Sequence, residues 1–132
     1  MNAGFKKVVA ENVSDLKPVM DGTSFAYTNL TIRNSGLKEI TELIHNYEHL
    51  RKIDLSLNIL KEIPALFNLK FVTDLNLERN QITSASFLSR QTVFPFLKKI
   101  NFLGNRIDKL PIISSKNLKM VNLNYNLIDS LE

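Results

Sequence analysis

A short pattern of apolar residues recurs along this chain and constrains its fold more than any other feature. In residues 52–63, K-I-D-L-S-L-N-I-L-K-E-I, apolar residues lie two positions apart, an asparagine follows, and the apolar spacing then changes to three. The pattern returns in residues 72–82, 97–107 and 118–128, and a weaker copy occupies residues 27–37. The asparagine position falls, at intervals of 21 to 25 residues, on Ser35, Asn58, Asn80, Asn105 and Asn126. Four intact copies indicate a repeat protein.

The change of spacing within each copy predicts a strand followed by a turn and a return segment. A period of two places both apolar side chains on one face of a strand, and the residues between them on the other face. A spacing of three suits a turn or a short 3-10 or helical segment. One copy cannot bury its own apolar residues, so the copies must stack side by side. We therefore expect an α/β solenoid with a curved parallel sheet of about five strands and short helical or 3-10 return segments on the convex side.

The repeated pattern resembles L-x-x-L-x-L-x-x-N-x-L, the signature of the leucine-rich-repeat family. This resemblance implies that the asparagine amide lies inside the turn and bonds to neighbouring backbone groups. An asparagine side chain has two donor hydrogens and an acceptor oxygen for that purpose. The residues expected to act as structural turn residues are Asn58, Asn80, Asn105 and Asn126.

The repeat pattern divides the chain into two parts. Residues 1–23 lie outside it and are predicted to form an N-terminal arm and cap, and residues 24–132 one leucine-rich-repeat domain of about five repeats. Within the first part we expect residues 1–10 to be a loose arm, followed by a short helix between a cap at Ser14 and a stop at Gly22. The expected role of this part is to cover the apolar end of the first repeat.

The return segments are expected to differ among the repeats. Residues 37–44 have apolar residues at i, i+3 and i+4 and are the best helix candidate in the chain. Pro64 and Pro111 disfavour a long helix in the second and fourth repeats. The third repeat carries the longest insert, and three of its phenylalanines are expected to pack behind the sheet: Phe87, Phe94 and Phe96.

Composition limits the classes of protein and the compartment. The sequence has no cysteine, which excludes disulfides and thiolate metal sites and favours a reducing, cytoplasmic location. We find no apolar run long enough to span a bilayer and no leader at Met1, so no membrane association is expected. The net charge of +4 is mild and permits an acidic partner.

One short motif suggests metal chemistry. The segment from His45 to His49 matches H-x-x-E-H, the inverted zinc-protease motif. That motif requires a continuous helix, a third ligand and an open coordination position. Here it lies at a junction between repeats, and the chain has no other histidine. We therefore predict no metal and no cofactor. Phosphate-binding loops and catalytic motifs are also missing from the sequence, which predicts that the protein is not an enzyme.

The outward face of the strands is the predicted partner-binding surface, because curved solenoids present extended concave surfaces. In the second repeat, for example, the alternation within the strand places Lys52, Asp54 and Ser56 on this face. Basic and apolar residues are mixed there, and an ordinary solvated face is the alternative. The predicted partner-binding residues are Arg33, Lys52, Asp54, Glu78, Lys99, Leu103, Met120, Asn122 and Tyr125.

The repeat length and short return segments resemble the class that includes phosphatase-regulatory, spliceosomal and axonemal leucine-rich-repeat proteins. Within it, residues 24–60 resemble the radial-spoke member, through Ala26-Tyr27, the Y-x-H-L-R junction at 47–51 and the D-x-S-x-N turn at 54–58. This resemblance implies a non-catalytic protein-binding scaffold in the axoneme of a cilium or flagellum. A phosphatase-regulatory or spliceosomal adaptor is the alternative. The expected partners are other proteins of a larger assembly. No nucleic acid is expected, because the face has few aromatic residues for base stacking.

The last repeat provides a full apolar set and no recognisable cap follows it: Leu118, Val121, Leu123, Ile128 and Leu131. Solenoids usually need a terminal element with a polar outer face. We therefore expect this end to be covered by a partner chain, a second copy or a continuation of the chain, or else to be only marginally ordered.

Overall fold

The computed structural model describes residues 2–18 and 25–128. The chain begins with helix α1 (Asn2–Asn12) and strand β1 (Val13–Pro18). One strand follows in each repeat: β2 (Phe25–Thr31), β3 (Lys52–Asp54), β4 (Asp74–Asn76), β5 (Lys99–Asn101) and β6 (Met120–Asn122). Three 3-10 helices lie between strands: η1 (Glu42–Tyr47), η2 (Pro64–Asn68) and η3 (Ser86–Ser89).

The six strands form one sheet in sequence order, and β2 to β6 are parallel. The register places the central residue of each strand beside the central residue of the next strand: Leu30, Ile53, Leu75, Ile100 and Val121. The first four of these are buried in the apolar core between the sheet and the return segments. The predicted leucine-rich-repeat solenoid with about five parallel strands is therefore confirmed.

The N-terminal part differs from the prediction. Residues 2–12 are helical rather than a loose arm, because Phe5 and Val9, one turn apart, are buried against the repeat core. The helix expected between Ser14 and Gly22 is also wrong in its first half, because residues up to Pro18 belong to strand β1. The second half of that predicted helix lies outside the described residues.

Strand β1 covers the edge of the sheet that the first repeat would otherwise expose. It pairs antiparallel with β2, with Val13 opposite Leu30 and Leu16 opposite Tyr27. An unpaired strand edge is a site for unwanted association, and a paired edge is not. This tertiary pairing prevails over the local helix signal. The proposed division at residue 23 falls between β1 and β2 and stays a prediction.

The helix predicted over residues 37–44 is also wrong in its type and extent. Only the 3-10 helix η1 forms, and it begins after Thr41, whose side-chain oxygen accepts a hydrogen bond from the Leu43 N–H at 3.4 Å. The preceding residues belong to the turn, since the Leu37 N–H donates to Asn58 Oδ1 and its carbonyl accepts from the Ile59 N–H. The turn therefore includes residues that the helix prediction had assigned to the helix.

Aromatic residues fill the space behind β4 and β5. Phe87 lies 5.2 Å from Phe67, 5.8 Å from Phe94 and 6.1 Å from Phe102, measured between ring centroids. Phe87 and Phe94 thus pack behind the sheet. The same expectation is wrong for Phe96, which is 50% exposed and lies immediately before the buried Leu97. Phe96 lies in the turn before β5, and its ring stacks on Phe71, with 6.5 Å between centroids, outside the core.

Ser56 was expected on the outward face but is 0% exposed. Its backbone explains the difference, because the chain has already entered the turn. The Ser56 N–H donates to Asp54 Oδ1 at 3.0 Å, and its carbonyl accepts from the Asn34 N–H and from Asn58 Nδ2. Among the described residues, the Ser56 hydroxyl has no hydrogen-bond partner.

We expect Ser56→Ala to leave stability unchanged or raise it by about 1 kcal/mol, because an unpaired buried hydroxyl is unfavourable. Thr28→Val is the matched control, since Thr28 is buried and its hydroxyl donates to the Asp15 carbonyl at 2.9 Å. It should lower stability by about 1 kcal/mol. Urea unfolding of both variants measures the difference. A larger loss in Ser56→Ala than in Thr28→Val contradicts this account.

Candidate protein-binding face

The residues on the open side of β2 to β6 form two rows across the sheet, here called the concave face. The first row precedes the central residue of each strand: Asn29, Lys52, Asp74, Lys99 and Met120. The second row follows it: Thr31, Asp54, Asn76, Asn101 and Asn122. All of these residues except Asn122 line one shallow depression. The structure thus brings together four predicted binding residues: Lys52, Asp54, Lys99 and Met120.

The first row carries three of the four charged side chains that line the depression, and Asp54 of the second row is the fourth. Asp74 lies in register between Lys52 and Lys99, and Met120 follows Lys99 on the last strand. Both lysines are exposed, and so is the Met120 side chain. A surface of this kind complements a partner that offers carboxylates and an apolar group. Asp74 was not among the predicted binding residues, although it occupies the same position in its strand as Lys52 and Lys99.

The second row is occupied by intramolecular hydrogen bonds. The side-chain oxygens of its last four residues each accept a bond from the backbone N–H two positions later, at 2.9 to 3.0 Å: Asp54, Asn76, Asn101 and Asn122. Such side chains stabilise a turn locally. Part of the bonding capacity of Asp54 and Asn122 is therefore already used. Their recurrence at one repeat position was the available sequence signal for this role.

Three other predicted residues lie beyond the depression, where the strands end. Arg33 Nε is 3.8 Å from Asp54 Oδ2, and both side chains are partly solvent-exposed. An exposed pair of this kind contributes about 0–1 kcal/mol to stability. Glu78 and Leu103 occupy the equivalent position in later repeats and are half-buried. The structure does not bring these three residues into the depression.

One residue of each repeat at this edge has a left-handed backbone: Asn34, Leu57, Arg79, Gly104 and Tyr125, with φ between 50° and 73°. Glycine adopts this conformation without strain, whereas a bulky residue there is uncommon. Tyr125 is 82% exposed, so its ring projects from the edge of the concave face. Tyrosine is enriched among the residues that contribute most to binding in protein interfaces.

The repeated asparagines link neighbouring repeats. Asn105 Oδ1 accepts a bond from the Ile82 N–H at 2.9 Å, while its Nδ2 donates to the carbonyls of Leu77 at 2.8 Å and Phe102 at 3.0 Å. Asn80 bonds in the same way to the backbone of the repeat before it and of its own repeat. Equivalent bonds are made by Asn58 and Asn126. Each amide thus satisfies backbone groups that the turns leave unpaired.

The two histidines make separate contacts. His45 Nε2 lies 2.8 Å from the Ala65 carbonyl oxygen and therefore donates a hydrogen bond that joins η1 to η2. The His49 ring stacks on Phe71, with 5.6 Å between centroids. Over residues 2–18 and 25–128, no group of three or more metal-ligating side chains could hold an ion. Over the same ranges, no helix combines the length and apolar character needed to cross a bilayer.

Comparison with known proteins supports the fold. No protein-family model matches the chain. Leucine-rich repeat-containing protein 23 of Bos taurus is 31% identical over 121 residues, and the Homo sapiens protein of that name is 30% identical over the same length. The alignments cover 92% of this chain but 34% of each relative, so the chain spans about a third of their length. The predicted resemblance is confirmed, and it extends beyond the front half of the chain.

A solved structure gives the same result. The crystal structure of the Drosophila melanogaster SNF/U2A' complex contains a chain that superimposes with a TM-score of 0.65 at 24% sequence identity. The match covers 93% of this chain and 69% of that one. At this level of identity, the likeness supports the fold alone.

Proposed function

We propose that this leucine-rich-repeat protein is a non-catalytic scaffold that binds another protein through its concave face. The observation that carries this proposal is the depression that Lys52, Lys99 and Met120 line together, from β3, β5 and β6. Two ammonium groups beside an exposed apolar side chain suit a partner segment that combines carboxylate and apolar groups. Tyr125, at the strand exits, adds an aromatic anchor at the rim.

We further propose that the assembly is the radial spoke of a motile cilium or flagellum, where the chain would be a structural component in the cytoplasmic axoneme. The support is the similarity to leucine-rich repeat-containing protein 23 over 92% of the chain. A spliceosomal or phosphatase-regulatory adaptor is the second candidate, and its support is limited to the fold that this chain shares with a chain of the SNF/U2A' complex. A tagged copy confined to cilia would support the first assignment, whereas a nuclear one would contradict it.

Charge reversal tests the concave face. We expect Lys52→Glu with Lys99→Glu to reduce capture of the partner by about tenfold or more, because two favourable charge pairs become repulsive. Capture is measured by quantitative mass spectrometry after affinity purification of the tagged protein from its native cells. Lys61→Glu with Lys109→Glu is the matched control, since both of these lysines are exposed outside the depression. Equal capture by wild type and both variants would mean that the partner binds elsewhere.

A second surface is proposed at the C-terminal repeat, where we expect another protein segment to cover the apolar residues. Four residues of its predicted apolar set are described and are only half-buried: Leu118, Val121, Leu123 and Ile128. Their counterparts one repeat earlier are fully buried: Leu97, Ile100, Phe102 and Ile107. Leu131, the fifth residue of the predicted set, lies outside the described residues. Covering this repeat would give it the burial of an internal one.

A further inference from the structure

Three aromatic rings form a ladder along the edge of the sheet where the chain enters the strands. His49, Phe71 and Phe96 each lie four residues before the buried central residue of their strand. The His49 and Phe71 rings are 5.6 Å apart and the Phe71 and Phe96 rings 6.5 Å apart, with interplanar angles of 6° for both pairs. Phe71 is 36% exposed and Phe96 50%. This aromatic ladder (His49, Phe71, Phe96) is not part of the concave depression.

A row of cations runs beside the ladder. Arg51, Lys98 and Lys119 each lie two residues before a central strand residue, and all three are exposed. Backbone hydrogen bonds hold this basic row in register: the Thr73 N–H donates to the Arg51 carbonyl, the Lys98 N–H to that of Thr73, and the Lys119 N–H to that of Lys98, all at 2.8 Å. The position of these cations is therefore set by the solenoid itself.

The charge of this edge is concentrated. The four entry segments, residues 48–51, 70–73, 95–98 and 116–119, contain five Lys or Arg residues and one carboxylate, Glu48. Their balance of +4 equals the net charge of the whole chain. Within residues 2–18 and 25–128 none of the five cations lies within ion-pair distance of a carboxylate, and Glu48 lies 3.5 Å from His49 instead. The cations are thus available to an outside partner.

We propose that this edge, formed by the aromatic ladder and the basic row, docks an acidic helical segment of another protein. Aromatic rings are positively polarised at their edges, so exposed ring edges next to ammonium and guanidinium groups attract carboxylates. The edge is separate from the concave depression, and the inference does not depend on the proposed function.

The spacing of the ladder favours a helix as the docked element. Its rings repeat at 5.6 and 6.5 Å, close to the rise of about 5.4 Å per turn of an α-helix. A helix lying across the strands, with one acidic residue in each turn, would present about one carboxylate to each repeat. Its apolar side chains would cover the exposed parts of Phe71 and Phe96.

Single-stranded nucleic acid fits the same edge less well. Binding of that kind relies on bases stacking on free aromatic faces. Both faces of the Phe71 ring are turned toward neighbouring rings, since His49 and Phe96 lie parallel to it on either side. The ladder therefore offers mainly ring edges, which suit carboxylates better than bases.

Fluorescence anisotropy tests the proposal on the full chain with a labelled helical peptide of about 18 residues that carries glutamate in every turn and two leucines. We expect binding that weakens as salt is raised and that is lost when glutamine replaces glutamate. Arg51→Glu with Lys98→Glu should weaken binding by about tenfold or more. The control variant, Lys61→Glu with Lys109→Glu, should bind within about twofold of wild type, since neither lysine lies on this edge.

Three results would overturn the proposal: no binding of the glutamate peptide, equal binding by wild type and Arg51→Glu with Lys98→Glu, or tighter binding of a labelled oligothymidine. Circular dichroism establishes that the variants are folded. If the first double variant melts below the control, Phe96→Ala with Lys119→Gln replaces it, because both of these side chains are exposed. That variant must also weaken peptide binding by about tenfold for the proposal to hold.

Discussion

Replacing Asn105 with alanine is expected to destabilise the protein by about 3 kcal/mol. Asn105 is 5% exposed, and its amide bonds to the Ile82 N–H and to the carbonyls of Leu77 and Phe102. Each buried backbone group left unpaired costs about 1–3 kcal/mol. Because water satisfies some of the three groups, we expect the total loss to be near 3 kcal/mol, the upper limit for one unpaired group. For a chain of this size the midpoint of thermal unfolding should fall by about 10 °C. Asn80→Ala should behave alike, since its amide makes the equivalent bonds.

Two variants in the last repeat serve as controls for this measurement. Asn126→Ala removes the same kind of bonds from a partly exposed site, so its effect should be smaller, about 1 kcal/mol. Asn124→Ala changes an exposed side chain in the same turn and should be within about 0.5 kcal/mol of wild type. Thermal and urea unfolding followed by circular dichroism compare all four variants. Unchanged melting in both Asn80→Ala and Asn105→Ala would contradict a structural role for these residues.

Hydrogen exchange should be much faster in the last strand than in the middle of the sheet. The amides of β6 (Met120–Asn122) belong to a repeat whose apolar side chains are half-buried, whereas β4 (Asp74–Asn76) has a strand on each side and a buried central leucine. Terminal repeats open with little free energy. A difference in opening free energy of about 3 kcal/mol corresponds to roughly a hundredfold difference in exchange rate.

The comparison requires the isolated chain at a concentration where sedimentation shows a monomer. The matched internal reference is β5 (Lys99–Asn101), which should be protected nearly as well as β4 because its own apolar residues are fully buried. Equal protection of β4 and β6 in a proven monomer would show that the last repeat needs no covering segment. A bound partner at this end should slow β6 selectively.

The repeat architecture was predictable because one local pattern occurs several times in the sequence, and every copy indicates the same strand and turn. Strand alternation correctly placed Lys52, Lys99 and Met120 on the concave face, since the period of two leaves little choice. The same reasoning failed at Ser56, where the alternation ends and the turn begins. Alternation therefore predicts which face a side chain lies on only up to the last residue with regular strand geometry.

The N-terminal part was not predictable in this way because it occurs once. Strand β1 is specified by its pairing with β2, a contact between distant residues, and no local pattern in Ser14 to Pro18 indicates that pairing. The aromatic ladder was missed for a related reason. Its members are a histidine and two phenylalanines at one repeat position, and a stack of dissimilar rings emerges only when the repeats are aligned in space.

The asparagine bonds have a direction, so each repeat depends on the repeat that follows it. The backbone N–H groups of Leu60, Ile82 and Ile107 are each satisfied by the asparagine of the repeat that follows. A repeat therefore completes its own turn only after its C-terminal neighbour has docked. In a nearest-neighbour description, the energy resides in the boundary between two repeats and little of it within either one. Adding or deleting an internal repeat should thus change the free energy of unfolding by the energy of one interface between repeats. Folding should begin at any pair of docked repeats and extend to their neighbours.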